Sequence, residues 1–221
     1  MLSSLVLALL PGVALALPQL GERFHGEDSN SKLEARQGYY WSNWSEGSGN
    51  WQCADTGGGS YSVQWSGSDG GFVCGKGWNY GGGRSVTYSG EYEATGPGYL
   101  SVYGWTTNPL VEYYIVESHA DLAPNEPWTF KGNFTSDDSV YSVYTSTRVN
   151  KPSIIGTATF EQYWSIREDQ RVGGTVTVRN HFDYWNSLGM GLGQDNYMIL
   201  ATEGYTSGSN GPSGHSSITV Q

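Results

Sequence analysis

The sequence predicts an all-β protein, an antiparallel sandwich or barrel, on three observations. It holds 32 glycines that punctuate short segments. It is rich in the aromatic residues that favour strands, with 16 Tyr and 9 Trp. Only 14% of its residues are charged, too few for a helical bundle. At 221 residues the chain suits one domain.

The first residues form a short apolar run that closes on Ala14-Leu15-Ala16. This reads as a secretory signal over 1–16, too short for a membrane span. Residues 17–36 are polar and end Glu34-Ala35-Arg36, which reads as a propeptide cut after Arg36 and leaves 37–221 as the mature domain.

Residues 38–46 read as an aromatic strand with Tyr40, Ser42 and Trp44 on one side. Taken alone, Trp44 is either core packing or a sugar platform, and packing is the simpler reading. Short strands follow at 61–65, 71–78 and 85–92, separated by Gly, Ser and Asp turns.

The stretch 99–117 reads as two strands joined at Thr-Asn-Pro. Leu100 and Val102 take one face of the first arm, while Tyr99, Ser101, Tyr103 and Trp105 take the other. In the second arm Val111, Tyr113 and Ile115 continue an apolar face opposite Glu112 and Tyr114. A carboxylate among aromatics is costly to desolvate, so Glu112 is either held by hydrogen bonds or placed for chemistry.

Residues 139–148 and 157–166 form another antiparallel pair. Their link, 149–156, is uncommonly apolar for an exposed loop and reads as a cover over something. Arg148 at its base reads, by itself, as a solvated strand-end cation. Residues 180–188 carry Phe182, Trp185 and Leu188 at helical spacing with Gly189 placed to stop the helix. In 197–205, Tyr197, Glu203 and Tyr205 share a parity. Glu112 and Glu203 therefore make a pair, and two carboxyls among aromatics are what glycoside hydrolysis requires: one protonates the leaving oxygen, the other attacks the sugar or activates water.

The net charge of -10, which becomes -9 once 1–36 is removed, argues against nucleic acid or an anionic membrane as a partner. His25, His119, His181 and His215 lack ligand spacing, and no metal site or cofactor is expected. In a secreted chain Cys53 and Cys74 are candidates for one disulfide, with two buried free thiols as the alternative. Two sequons begin at Asn43 and Asn133. Asn43 falls in a strand and is expected to stay bare; Asn133 falls in a polar stretch and is the expected acceptor.

The quoted blocks resemble the glycoside hydrolase family 11 endo-1,4-β-xylanases: Pro109-Leu-Val-Glu112-Tyr-Tyr, Ala201-Thr-Glu203-Gly-Tyr, and Arg148 followed by Pro152-Ser-Ile-Ile-Gly-Thr-Ala-Thr-Phe-Glu-Gln162-Tyr-Trp. The resemblance covers essentially all of 37–221. It implies a β-jelly roll of two curved antiparallel sheets and one α-helix, shaped like a partly closed hand with xylan in the palm. Glu112 would be the nucleophile and Glu203 the acid/base. Tyr103 and Tyr114 would surround the nucleophile, with Arg148, Pro152 and Gln162 lining the same subsite. The link 149–156 would be the mobile thumb. Trp44 would be a stacking platform, and Tyr99, Tyr197 and Tyr205 would contact neighbouring xylose units. The resemblance further implies a secreted, extracellular enzyme acting on xylan; a monomer is expected.

An anionic Glu112 raises the pKa of Glu203 and keeps it protonated, and esterification of Glu112 removes that charge so that Glu203 can then deprotonate water. Three positions depart from the family pattern. Gly71 stands where many relatives hold Asn or Asp beside the acid/base, Ile155 stands at the thumb tip where some carry an acid, and the loop 207–216 reads as long enough to extend the cleft rim. Three other readings compete: a lectin-like jelly roll without chemistry, a β-1,4-glucanase on a similar sandwich, and a structural Gly/Tyr-rich protein.

Overall fold

The computed structural model describes residues 38–221 apart from 68, 123–126 and 208–210. The expected signal and propeptide lie outside the described residues. In chain order the elements are β1 (Tyr40–Glu46), β2 (Asn50–Gly57), β3 (Ser60–Ser66), β4 (Gly71–Trp78), β5 (Ser85–Thr95), β6 (Gly98–Thr107), β7 (Val111–His119), β8 (Thr129–Ser136), β9 (Ser139–Ser153), β10 (Gly156–Arg167), β11 (Gly174–Thr177), helix α1 (Val178–Ser187), β12 (Gln194–Tyr205) and β13 (Ser213–Val220). One sheet of eight strands has the order β1-β4-β12-β6-β7-β10-β9-β8, and a second of five has the order β11-β5-β13-β3-β2.

The alternation seen in the sequence sorts side chains between two cores. Leu100, Val102, Val111, Tyr113 and Ile115 point from the large sheet into a core shared with Val63, Tyr88 and Ile218 of the small sheet and with Phe182 and Trp185 of α1. Tyr99, Tyr103, Trp105 and Tyr114, on the opposite parity, form a second aromatic cluster with Phe160 and Trp164. A sheet apolar on both faces needs cover on both, and here the second face is covered mainly by its own large rings.

Helix α1 starts two residues before the expected 180. The backbone N–H and hydroxyl of Thr177 both donate to Asp137, at 2.9 and 2.7 Å, which anchors the chain as it enters the helix. At the other end Gly189 takes φ 75°. Its N–H donates to the Asn186 carbonyl, and that of Met190 to Trp185, the paired closing bonds for which a glycine is suited.

Several expectations are corrected. The large sheet is not wholly antiparallel: β10 runs parallel to β7, with Gln162 opposite Glu112. Parallel neighbours cannot be joined by a tight turn, and here β8 and β9 intervene in the chain between them. Strands β2, β8, β11 and β13 were not anticipated. Residues 213–216, expected within a rim loop, begin β13 and pair with β3 and β5. The expected loop 149–156 is mostly strand, because β9 runs to Ser153 and β10 begins at Gly156. Its backbone groups are paired within a hairpin, so the apolar side chains ride on a β-ladder.

Cys53, on β2 of the small sheet, and Cys74, on β4 of the large sheet, are free thiols, and burial, followed by the neighbouring Cys53, pushes the Cys74 thiol up. Asn133 lies in β8 rather than in a loop. Since Asn43 and Asn133 are both exposed, on the two edge strands of one sheet, the contrast drawn between them does not hold.

A buried ionic cluster was also missed. Glu117, fully buried on the inner face of β7, accepts from Tyr141 Oη at 2.5 Å, Arg171 Nε at 2.5 Å and Tyr88 Oη at 3.3 Å. A buried carboxylate with three donors meets its desolvation cost through partners contributed by β5, β9 and the segment before β11.

Candidate active site

The second aromatic cluster floors a cleft of about 550 Å³. Glu112, Glu203, Trp44, Tyr99, Tyr103, Tyr114, Arg148, Pro152, Gln162, Tyr197 and Tyr205 all line it, so every site residue named from the sequence falls in one concavity. They come from six strands, β1, β6, β7, β9, β10 and β12, with β4 contributing Phe72 and Val73 between.

Glu112 is 8% exposed and fully engaged. Its Oε1 accepts from Tyr103 Oη at 2.7 Å and Tyr114 Oη at 3.1 Å. Its Oε2 accepts from Gln162 Nε2 at 2.7 Å. Each donor is itself oriented. Trp105 Nε1 donates to Tyr103 Oη at 2.7 Å, which leaves the phenol proton for Glu112. Ser146 Oγ donates to Gln162 Oε1 at 3.0 Å, which turns the amide NH₂ toward the carboxylate. Tyr114 is clamped by Trp164, whose ring lies parallel at 3.9 Å. Burial raises the pKa of Glu112, and the bonds from Gln162, Tyr103 and Tyr114, with the Arg148 charge, pull it back.

Glu203 stands on β12, in register between Tyr99 of β6 and Val73 of β4. Among the described residues its Oε2 has no hydrogen-bond partner. Burial, followed by the negative charge of Glu112, raises its pKa to about 8, with Tyr114 and Arg148 acting in the opposite sense. The two carboxyls thus differ in kind: Glu112 has three donors and ionises first, whereas Glu203 is poorly solvated and keeps its proton near neutrality. One deprotonated and one protonated carboxyl in a shared cleft can attack a carbon and protonate an oxygen.

The surrounding rings extend along the cleft. Tyr99 and Tyr205 share a hydrogen bond between their hydroxyls. Tyr197 packs against Tyr40 at 5.1 Å and near Tyr103 at 6.1 Å. Trp44 is 45% exposed at the β1 edge, and Pro152 and Ile154 border the cleft from the β9–β10 hairpin. Ile155 at the hairpin tip points to solvent. Gly71 lies in the lining, opposite Tyr205 on β4 and two residues from Val73. A Cβ there would stand 3.0 Å from the Gly204 carbonyl and from Tyr205 Cβ, so the backbone leaves little room for a larger residue. Asp69 also lines the cleft, and its carboxylate accepts from Ser48 N–H and Oγ at 3.2 and 3.0 Å.

Sequence reasoning missed Trp128, Phe160 and the orienting role of Ser146. Parity placed Trp105 on the site face, but nothing local showed its indole N–H reaching Tyr103. Among the described residues no group of three or more His, Cys, Asp or Glu is placed to hold a metal ion, and no helix is long and apolar enough to cross a membrane.

Comparison with known proteins gives consistent matches. The profile described as glycosyl hydrolases family 11 matches residues 36–217. An ethylene-inducing xylanase 1 of Botryotinia fuckeliana is 53% identical over 83% of this chain, and the match spans 63% of that longer protein. An ethylene-inducing xylanase of Penicillium digitatum is 50% identical over 99% of this chain and 98% of its own. Among solved structures, one from a comparison of two major endo-1,4-β-xylanases of Trichoderma reesei superposes with a TM-score of 0.75 at 44% identity, covering 82% of this chain and 97% of that one.

Proposed function

The chain belongs to glycosyl hydrolases family 11, and from that membership we infer that it is an endo-1,4-β-xylanase, a jelly-roll enzyme that cleaves internal xylosidic bonds with retention. The observation that supports this most directly is the unequal pair, Glu112 with three donors and Glu203 held protonated.

In this reading the Glu112 carboxylate attacks the anomeric carbon from one face while Glu203 gives its proton to the departing glycosidic oxygen. The product is an ester between Glu112 and xylose, and the leaving chain departs with the proton. Esterification cancels the Glu112 charge, so the cause that ranks second in raising Glu203 disappears. Glu203, now an anion, takes a proton from water, and the hydroxide displaces the ester to restore both groups. Tyr103, Tyr114 and Gln162 stabilise Glu112 as an anion before attack and as a leaving group afterwards. Arg148 and Pro152 close the subsite, while Trp44, Tyr99, Tyr197 and Tyr205 stack on or bond to adjoining units.

Residues 1–16 serve as a secretory signal and 17–36 as a propeptide, so that the active form is an extracellular monomer beginning near Gln37. Asn43 and Asn133, both exposed on edge strands, are the proposed glycan acceptors. The deciding experiment is reducing-sugar release by 37–221 from xylan and, in parallel, from soluble cellulose, with Glu112→Gln as the blank. Release from xylan alone that is lost in the variant is expected. Release mainly from cellulose would replace xylan as the substrate, and xylan binding without release would make the protein a lectin.

A further inference from the structure

Of the large apolar side chains exposed on the described surface, two sit on the opposite edge strands of the large sheet: Trp44 on β1 and Phe130 on β8. Trp44 lines the cleft; Phe130 does not, yet rings connect it to the cleft floor without a break. Tyr114 stacks on Trp164 at 3.9 Å, Trp164 packs on Trp128 at 5.0 Å, Trp128 on Tyr144 at 5.2 Å, and Tyr144 on Phe130 at 5.5 Å. The register explains the row. Tyr114 pairs with Trp164, Trp164 with Tyr144, and Tyr144 with Phe130, so these side chains emerge on the same face of four adjacent strands.

The far end of the row is fixed in place. The β8–β9 register shifts between Phe130 and Gly132, and Gly132 takes φ 145°. A Cβ at Gly132 would stand 2.6 Å from the Tyr184 hydroxyl, which donates to the Asn133 carbonyl at 2.9 Å. The bulge is thus built around a glycine, and it sets Phe130 on the cleft side while leaving it 56% exposed. Core packing does not account for a ring held in that position, since more than half of it stays in water.

We propose that Trp128, Tyr144 and Phe130 form an accessory saccharide platform, continuous with the cleft, that holds xylose units of a long xylan chain beyond those around the cleaved bond. The ligand rests on the xylanase reading. Its chemistry follows from the row itself: apolar ring faces with a hydroxyl beside them, that of Ser142 two residues from Tyr144 on the same face of β9, suit the C–H faces and hydroxyls of a neutral pyranose.

The test compares Phe130→Ala and Phe130→Tyr with the parent, all carrying Asn133→Gln so that no glycan beside Phe130 contributes. Linear xylo-oligosaccharides of increasing length and soluble xylan serve as substrates. In Phe130→Ala, KM for xylan should rise about three- to ten-fold, with kcat and the KM of the shortest cleaved oligomer unchanged, and Phe130→Tyr should recover the loss. An equal change at every length, or none at any, would overturn the platform. Retardation of each protein in native gels containing soluble xylan supplies a readout independent of catalysis. If the parent releases no sugar, the xylanase reading falls, and weaker retardation of Phe130→Ala would still sustain the platform while equal retardation would remove it.

Discussion

Gln162 lies directly opposite Glu112 in the parallel pairing of β10 with β7, and its amide Nε2 donates to Glu112 Oε2 at 2.7 Å. The contact joins residues fifty apart in sequence, and Ser146, which faces Gln162 from β9, sets the amide's polarity.

Ser146 is therefore expected to act through Gln162. Without its hydroxyl the amide can rotate and present Oε1 to the carboxylate, which replaces a favourable contact with a repulsive one. Loss of a donor to an anion raises its pKa, so the acid limb of the kcat/KM profile should move to higher pH by about one unit in Ser146→Ala. Ser146→Thr should restore it. An unmoved limb in Ser146→Ala would show that other contacts fix the amide.

The pH dependence of the wild-type chain follows from the same pair. Glu112 works as the anion, so activity falls as pH drops through its raised pKa. Glu203 works protonated, so activity falls as pH rises past about 8. Initial rates across pH should trace a bell whose limbs report the coupled pair rather than single residues.

Glu112→Gln separates charge from shape. Activity on xylan should drop roughly 10³-fold or more, since the nucleophile is lost. Glu203 should titrate below 8 in this variant, because the Glu112 charge is gone and burial remains. Carboxyl-carbon NMR of both proteins would measure the difference, and an unchanged Glu203 would mean that the two carboxyls are not coupled.

His181 offers a stability test away from the cleft. It is fully buried in α1 against Phe134 and Tyr141, neither ring nitrogen has a partner among the described residues, and burial lowers its pKa to about 3 despite the nearby Asp137 charge. The Arg167 charge pushes in the same direction as burial. Above pH 6.5 the ring is neutral whether folded or unfolded. As pH falls below that, the unfolded chain gains a proton that the folded one refuses, so stability declines by about 1.4 kcal/mol per pH unit until about pH 3. His181→Phe removes the proton acceptor and should flatten the fall in Tm between pH 6.5 and 4. A parallel fall in both proteins would place the acid sensitivity elsewhere.

Much of the site was legible from local pattern. Parity put Glu112 with Tyr114, and Glu203 with Tyr197 and Tyr205, because side chains alternate along any strand. Apolar spacing and Gly189 marked the helix. Short strands such as β11, and β8 with its bulge and its exposed positions, carried no clean alternation and escaped notice. Arg148 taken alone looked like a solvated strand end, and only its place in the cleft lining gives it company.

The sequence by itself determined which side chains share a face and which two carboxyls stand among aromatics, since those follow from the two-residue repeat of a strand. Tertiary structure alone decided that β10 lies parallel beside β7, that Cys53 and Cys74 meet as thiols, that Asn133 sits on an edge strand, and that Glu117 finds Arg171, Tyr88 and Tyr141. The reason is physical. Which strands become neighbours, and in what register, is settled by packing two apolar faces across the whole chain, and that competition leaves no trace in the spacing of any one segment.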